Sequence, residues 1–400
     1  MLYRSAVAQR AGVLLPVWAS LVLGLLVGPA VVGILANVVG DAARYLHVSP
    51  QNVQRRHKIR AAGVEVIRSL HEKGYDRIIV VGHSLGTVIG YDILNYAWTE
   101  YNADPQKVDG SFKALRELET LAAAGENDDR TDTARIQAAQ RRYFNELKAN
   151  GVRWRVTDFV TMGSPLAHAE ILLAHDADDL KPKFVRREFP RCPPELETST
   201  RKFSMGMLVA EDGAITDVIP GTEAASAGLA SGMKVILVNG RASQDVRQQL
   251  RAAISRKKPI ELIVEDGKDR KPYKFDCDGS EGLPPRDQDV ELKRFSFPPD
   301  EERRVPHHAA VFGPTRWTNL YFPAKLLLWG DLVGGELRPI FGPGVLDIPV
   351  STRQRLGLLS HTLYWTTASD NDLHLGSLRA ALDLCDDQNW KPKMPAAAGA

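Results

Sequence analysis

Residues 77–91 read RIIVVGHSLGTVIGY, and the fold turns on this stretch. Ile78 to Val81 are four consecutive β-branched residues, the composition of a central parallel strand covered on both faces. Gly82-His83-Ser84-Leu85-Gly86 follows at once, and helical periodicity resumes over Thr87 to Ala97. Upstream, Ile59, Gly63, Val66, Ile67 and Leu70 recur at helical spacing until Gly74 stops the run. The order is helix, strand, tight turn, helix, which is the α/β pattern.

The turn carries chemistry. A serine hydroxyl is a weak nucleophile until a base takes its proton, and a sharp strand-to-helix turn presents its oxygen clear of neighbours at a helix N-terminus. Gly82 and Gly86 leave room for such a turn. Further along, Arg155 to Met162 reads as a second strand, ended by Gly163-Ser164-Pro165-Leu166. Run parallel, it finishes at the same sheet edge as Ser84.

The stretch IIVVGHSLGTVIGYDIL, with the later VTDFVTMGSPL, resembles the α/β-hydrolase superfamily and its lipase-like, esterase-like members. The resemblance implies a mostly parallel sheet with helices on both faces, and the chain order Ser, acid, His. Ser84 is then the nucleophile. His361, in LSHTLYW, is the base by its late position and by a His-x-x-Tyr-Trp texture similar to that around the catalytic histidine of lipase-like members; His168, His307, His308 and His374 are its rivals. Asp331, in the small-residue loop GDLVGG thirty positions ahead of His361, is the acid, with Asp347 as second choice and Asp158 on the wrong strand. The backbone N–H of Leu85 supplies one oxyanion donor. No His-Gly dipeptide precedes Ser84 to supply the second in the family's usual way.

Residues 203–277 differ in texture, with short alternating strands and one amphipathic helix after Ser243. Pro193-Pro194 and Pro284-Pro285 flank them, as expected of an insertion on stiff linkers. Asn239-Gly240 reads as a tight turn, and Val246, Leu250 and Ile254 stack at i, i+4, i+8. GAITDVIPGTEAASAGL followed by GMKVILVNG resembles a bacterial-type PDZ domain. That implies a peptide ligand added as a strand, its carboxylate held by the loop Ser204-Met205-Gly206-Met207 and its side chains set against Val246 and Leu250. The segment before this loop is short for a full first strand, and Met233 follows Gly232 where the family has an acidic residue.

The division expected is therefore a hydrophobic segment at 1–45, a first hydrolase part at 46–200, the PDZ-like insertion at 203–277 and a second hydrolase part at 285–392. Residues 104–150, rich in charge, read as exposed helices lying over the sheet. Ala11 to Gly40 holds no charged side chain over thirty residues, more than a membrane span requires. Arg44, Arg55, Arg56, Lys58 and Arg60 follow it and only Arg4 and Arg10 precede it, so the catalytic part is expected on the cytoplasmic side of a membrane. With 51 Lys and Arg against 49 Asp and Glu, nucleic acid is not an expected partner. Three scattered cysteines form neither a disulfide framework nor a metal motif, and no cofactor or metal is expected. Two functions are open: a membrane-associated hydrolase of an ester or lipid-like small molecule, or an impaired hydrolase fold serving as a scaffold through its PDZ-like module.

Overall fold

A computed structural model describes residues 40–46, 49–102, 113–125, 132–219, 221–256, 259–275, 287–297, 305–324, 330–351, 357–365 and 373–382. The hydrophobic run of residues 11–39 lies outside them. Among the described residues no helix is long and apolar enough to cross a membrane.

After a helical stretch at residues 40–46 comes α1 (Pro50–Glu72), whose Ser49 hydroxyl caps the Asn52 N–H, with Pro50 in the first turn where its missing N–H costs nothing. Gly74, at φ +73°, ends it in the left-handed conformation that glycine takes without strain. Then come β1 (Ile78–His83) and α2 (Leu85–Asn102). Asp92 of α2 is buried and accepts from Tyr45, Arg56 and Arg60, which fastens α1 across α2.

Next are α3 (Lys113–Gly125), α4 (Thr133–Ala149) and β2 (Val156–Met162), every residue of which is buried. The helices over residues 104–150 were expected to be exposed. α4 instead buries Ile136, Ala139, Tyr143 and Leu147, an i, i+3, i+7, i+11 stripe that its many charges obscure. Buried Gln137 and Gln140 of the same helix donate their side-chain N–H groups to the carbonyls of Trp317 and Phe312.

After β2 a 3₁₀ turn (Pro165–His168) leads to α5 (Ala169–Leu172) and α6 (Ala177–Val185). The chain then enters β3 (Glu197–Ser204), β4 (Met207–Val209), β5 (Ile215–Val218), α7 (Glu223–Ser226), β6 (Lys234–Val238), α8 (Val246–Ser255), β7 (Ile260–Asp266), β8 (Asp269–Phe275) and β9 (Asp287–Arg294). It returns through β10 (Ser296–Phe297), β11 (Val305–Pro306), β12 (Arg316–Tyr321), α9 (Arg338–Phe341), β13 (Val345–Pro349), a 3₁₀ helix (Gly357–Trp365) and α10 (Leu373–Leu382).

Strands β1, β2, β12 and β13 form one parallel sheet in that order. Val80, Phe159 and Trp317 face a core shared with α1 to α4, where Phe312 stacks on Trp317 at 4.6 Å between ring centroids. Ile79, Val160, Met162 and Leu320 face the other way, against Leu363, Tyr364 and Leu378. The layering is mixed α/β with helices on both faces, and the four strands run parallel, so their C-terminal ends share one edge.

The middle of the chain has its own core of Met205, Met207, Ile215, Leu229, Val235, Leu250, Leu262 and Phe275. Its strands make two sheets, β5-β4-β3-β9 and β6-β7-β8. The strand leading into Ser204 is longer than the sequence suggested: all eight residues of β3 pair with β9, from Glu197 against Arg294 to Ser204 against Asp287. Asn239 and Gly240, at φ +51° and +73°, make the tight turn after β6.

Candidate active site

Ser84 sits where β1 becomes α2, at φ +53°, a left-handed conformation in which a side chain with Cβ is strained by about 1–2 kcal/mol. The sharpness of this turn depends on Gly82: a Cβ there would lie 2.8 Å from the Gly86 carbonyl oxygen and from Thr87 Cα. Gly86 is less constrained than the sequence implied, since a Cβ on it meets nothing within 4 Å. Two hydroxyls brace the turn. Thr87 Oγ1 donates to the Ser84 carbonyl at 2.7 Å and lies 2.7 Å from Ser164 Oγ, which in turn caps the Leu166 N–H.

His361 Nε2 lies 2.8 Å from Ser84 Oγ, and its Nδ1 lies 3.0 Å from Asp331 Oδ2 and 3.1 Å from Oδ1. Three segments separated by up to 277 residues therefore bring their polar atoms into one line. Asp331 accepts the proton on Nδ1, which leaves the Nε2 lone pair facing the serine hydroxyl. Asp331 follows β12, its N–H donating to the Phe322 carbonyl, and His361 lies on the 3₁₀ helix that follows β13.

The Asp331 carboxylate is wholly enclosed. Burial by itself raises its pKa, but hydrogen bonds from His361 and from the Val333 and Gly334 N–H groups prevail and hold it below the usual carboxylate range. Tyr364 adds a fourth donor, its hydroxyl 3.0 Å from Oδ2 while accepting from the Phe322 N–H at 3.0 Å. Gly163 leaves space for this cluster, since a Cβ on it would stand 2.7 Å from the Tyr364 ring and 2.8 Å from Asp331 Oδ2. The Leu85 N–H belongs to the first turn of α2, an 18-residue helix whose positive end begins directly after Ser84.

The alternatives considered for the acid and base are engaged elsewhere. Asp347 accepts from Asn319 Nδ2 and from the Leu337 and Arg338 N–H groups, and so anchors α9. Asp158 is held between Arg77 and Arg316. His168 bonds to the Leu332 carbonyl and His307 to the Glu195 carbonyl, His308 bonds to the Arg187 carbonyl, and buried His374 lies against Phe322. Among the described residues no group of three His, Cys, Asp or Glu could hold a metal ion.

In the middle module, Ser204 pairs with Met207 across a two-residue turn of Met205 and Gly206, at φ +56° and +79°. All four residues are buried. Thr222 fills the space beside the turn, so closely that a Cβ on Gly206 would collide with its side chain. Val246 and Leu250 are buried in the same core.

Comparison with known proteins adds no family. No protein-family model matches the chain, and no curated protein matches it.

The sequence assigns no site role to His83, Thr87, Ser164 or Tyr364, and Gly163 reads only as part of a strand-ending turn. Tyr364 was inside the quoted LSHTLYW motif, but its contact with Asp331 spans 33 residues and carries no local signature.

Proposed function

We propose that the chain is a serine hydrolase of the α/β-hydrolase type that cleaves a carboxylic ester through an acyl-Ser84 intermediate. The observation that carries this reading is the continuous line Ser84 Oγ, His361 Nε2 and Nδ1, Asp331 at 2.8 and 3.0 Å, with Ser84 on a strained turn. In the first step Ser84 Oγ attacks the ester carbonyl carbon as its proton passes to His361 Nε2. Asp331 holds the ring in the tautomer that accepts and stabilises the imidazolium. The negative oxygen of the tetrahedral intermediate meets the Leu85 N–H and the positive end of α2. The alcohol leaves with the proton from His361, and water, deprotonated by the same nitrogen, releases the acid and restores Ser84.

The hydrophobic run at residues 11–40 supports a membrane location and hence lipid-like esters as the substrate class. The middle module supports a PDZ-type fold through its two small sheets and the helix α8. Its buried Ser204–Met207 turn favours a structural or regulated role over constitutive peptide capture.

The test is covalent labelling of the detergent-solubilised chain with a fluorophosphonate, followed by intact mass. One adduct per chain that disappears in Ser84→Ala is expected. A well-folded chain that takes no adduct would sink the hydrolase reading and favour the scaffold.

A further inference from the structure

The residue before the nucleophile has a job of its own. His83 Nε2 lies 2.8 Å from the carbonyl oxygen of His361, the peptide of the base itself. Because a carbonyl can only accept, Nε2 of His83 carries a proton. The two imidazole rings lie 5.0 Å apart, and His83 also touches Tyr364 at 5.5 Å and Trp365 at 6.2 Å between centroids. Its ring is therefore set against the last five residues of the 3₁₀ helix that presents the base.

We propose that His83 is a positioning residue that hangs the base-bearing segment directly from the nucleophile turn, so that Ser84 and His361 keep their separation as one unit. The proposal rests on the reading of Ser84 as nucleophile. The geometry argues for it in two ways. The serine and its neighbour point to opposite ends of the same residue: Ser84 reaches the side chain of His361 and His83 reaches its backbone. The sheet alone leaves the base on a longer tether, since His361 is separated from the end of β13 at Pro349 by eleven intervening residues. Burial keeps His83 largely neutral, so it presents a donor without placing a second positive charge beside the imidazolium that forms on His361.

The experiment compares the full chain in detergent as wild type, His83→Phe and His83→Gln. Phenylalanine keeps the aromatic volume and removes the donor; glutamine restores an N–H at a similar reach. Two readouts are taken: the second-order rate of fluorophosphonate labelling, and the low-field proton resonance of the His361 Nδ1–H bonded to Asp331, assigned with ¹⁵N-histidine. The expected result is a fall in labelling on the order of ten- to a hundredfold in His83→Phe, as for a displacement of about 1 Å. Recovery to within a few-fold is expected in His83→Gln, with the resonance lost in the first and kept in the second. Wild-type labelling and resonance in His83→Phe, or equal losses in both variants, would overturn the proposal. If the wild type itself takes no label, the hydrolase reading fails, and the resonance alone decides whether His83 positions His361. If His83→Phe does not fold, His83→Met takes its place against the same glutamine variant.

Discussion

Gly163 and Asp331 approach so closely that one carbon added to Gly163 would stand 2.8 Å from the carboxylate oxygen Oδ2. Gly163 ends β2 at φ +54°, so an L side chain there is strained before it touches anything. Gly163→Ala is expected to cost about 1–3 kcal/mol in stability and to displace Asp331, lowering labelling of Ser84 by roughly a hundredfold. Urea denaturation and labelling rate on the same preparation check both; an alanine chain that labels at the wild-type rate would show that the contact is slack.

Asp331→Asn keeps the shape of the site while reversing a donor–acceptor relation, because the amide favours the wrong tautomer of His361. A fall of about 10³- to 10⁴-fold in labelling is expected. Tyr364→Phe removes only one of four donors to the carboxylate, and about a tenfold fall is expected. Equal effects from the two substitutions would mean that Tyr364 is doing more than hydrogen bonding.

One buried histidine, His307, and one half-buried histidine, His71, make stability fall in mild acid. His71 donates Nδ1–H to the Ile67 carbonyl and accepts the Arg155 N–H on Nε2, and His307 accepts the Ala309 N–H on Nδ1 while donating Nε2–H to Glu195. Burial lowers the pKa of both, that of His307 to about 3. The unfolded chain takes up these protons near pH 6.5 and the folded chain does not. Stability is therefore complete above pH 6.5 and declines as pH drops towards 3, by about 2 kcal/mol at pH 5 from His307 alone. Urea midpoints measured from pH 7.5 to 5 check the slope, which His307→Gln should reduce.

Asp217 of the middle module pairs with Arg116 of α3 at 3.4 Å, which ties the module to the host, and with Arg294 of β9 within the module's own sheet. All three side chains are largely buried, and removing the carboxylate takes away one ion pair from each guanidinium group. Asp217→Ala is expected to cost about 1–3 kcal/mol and to separate one calorimetric transition into two. A single unshifted transition would show that the latch contributes nothing.

The nucleophile turn was legible because its signals are local: β-branched residues, a glycine that sterics require, a helix that resumes at once. Asp331 and His361, the proposed acid and base, were reached through chain order and, for His361, through the resemblance of its His-x-x-Tyr-Trp texture to lipase-like members; nothing within GDLVGG itself marks Asp331 apart from a turn residue. β9 escaped notice because DQDVELKR carries only Val290 and Leu292 as apolar residues, on one half-buried face, and owes its place mainly to pairing with β3. The burial of α4 was masked by charge count, while its spacing held the answer.

The β3–β9 ribbon has a last consequence. Glu197 and Arg294 are paired Cα to Cα, so the chain leaves the hydrolase-like half and re-enters it at points about 5 Å apart. Such a doorway works as a graft joint. A gene cut at these two codons could lose the whole module, or accept a different one with closely spaced ends, and the parallel sheet carrying Ser84, Asp331 and His361 would see the same short closure. Recombination at this joint would exchange the module and leave the Ser84, His361 and Asp331 contacts as they are.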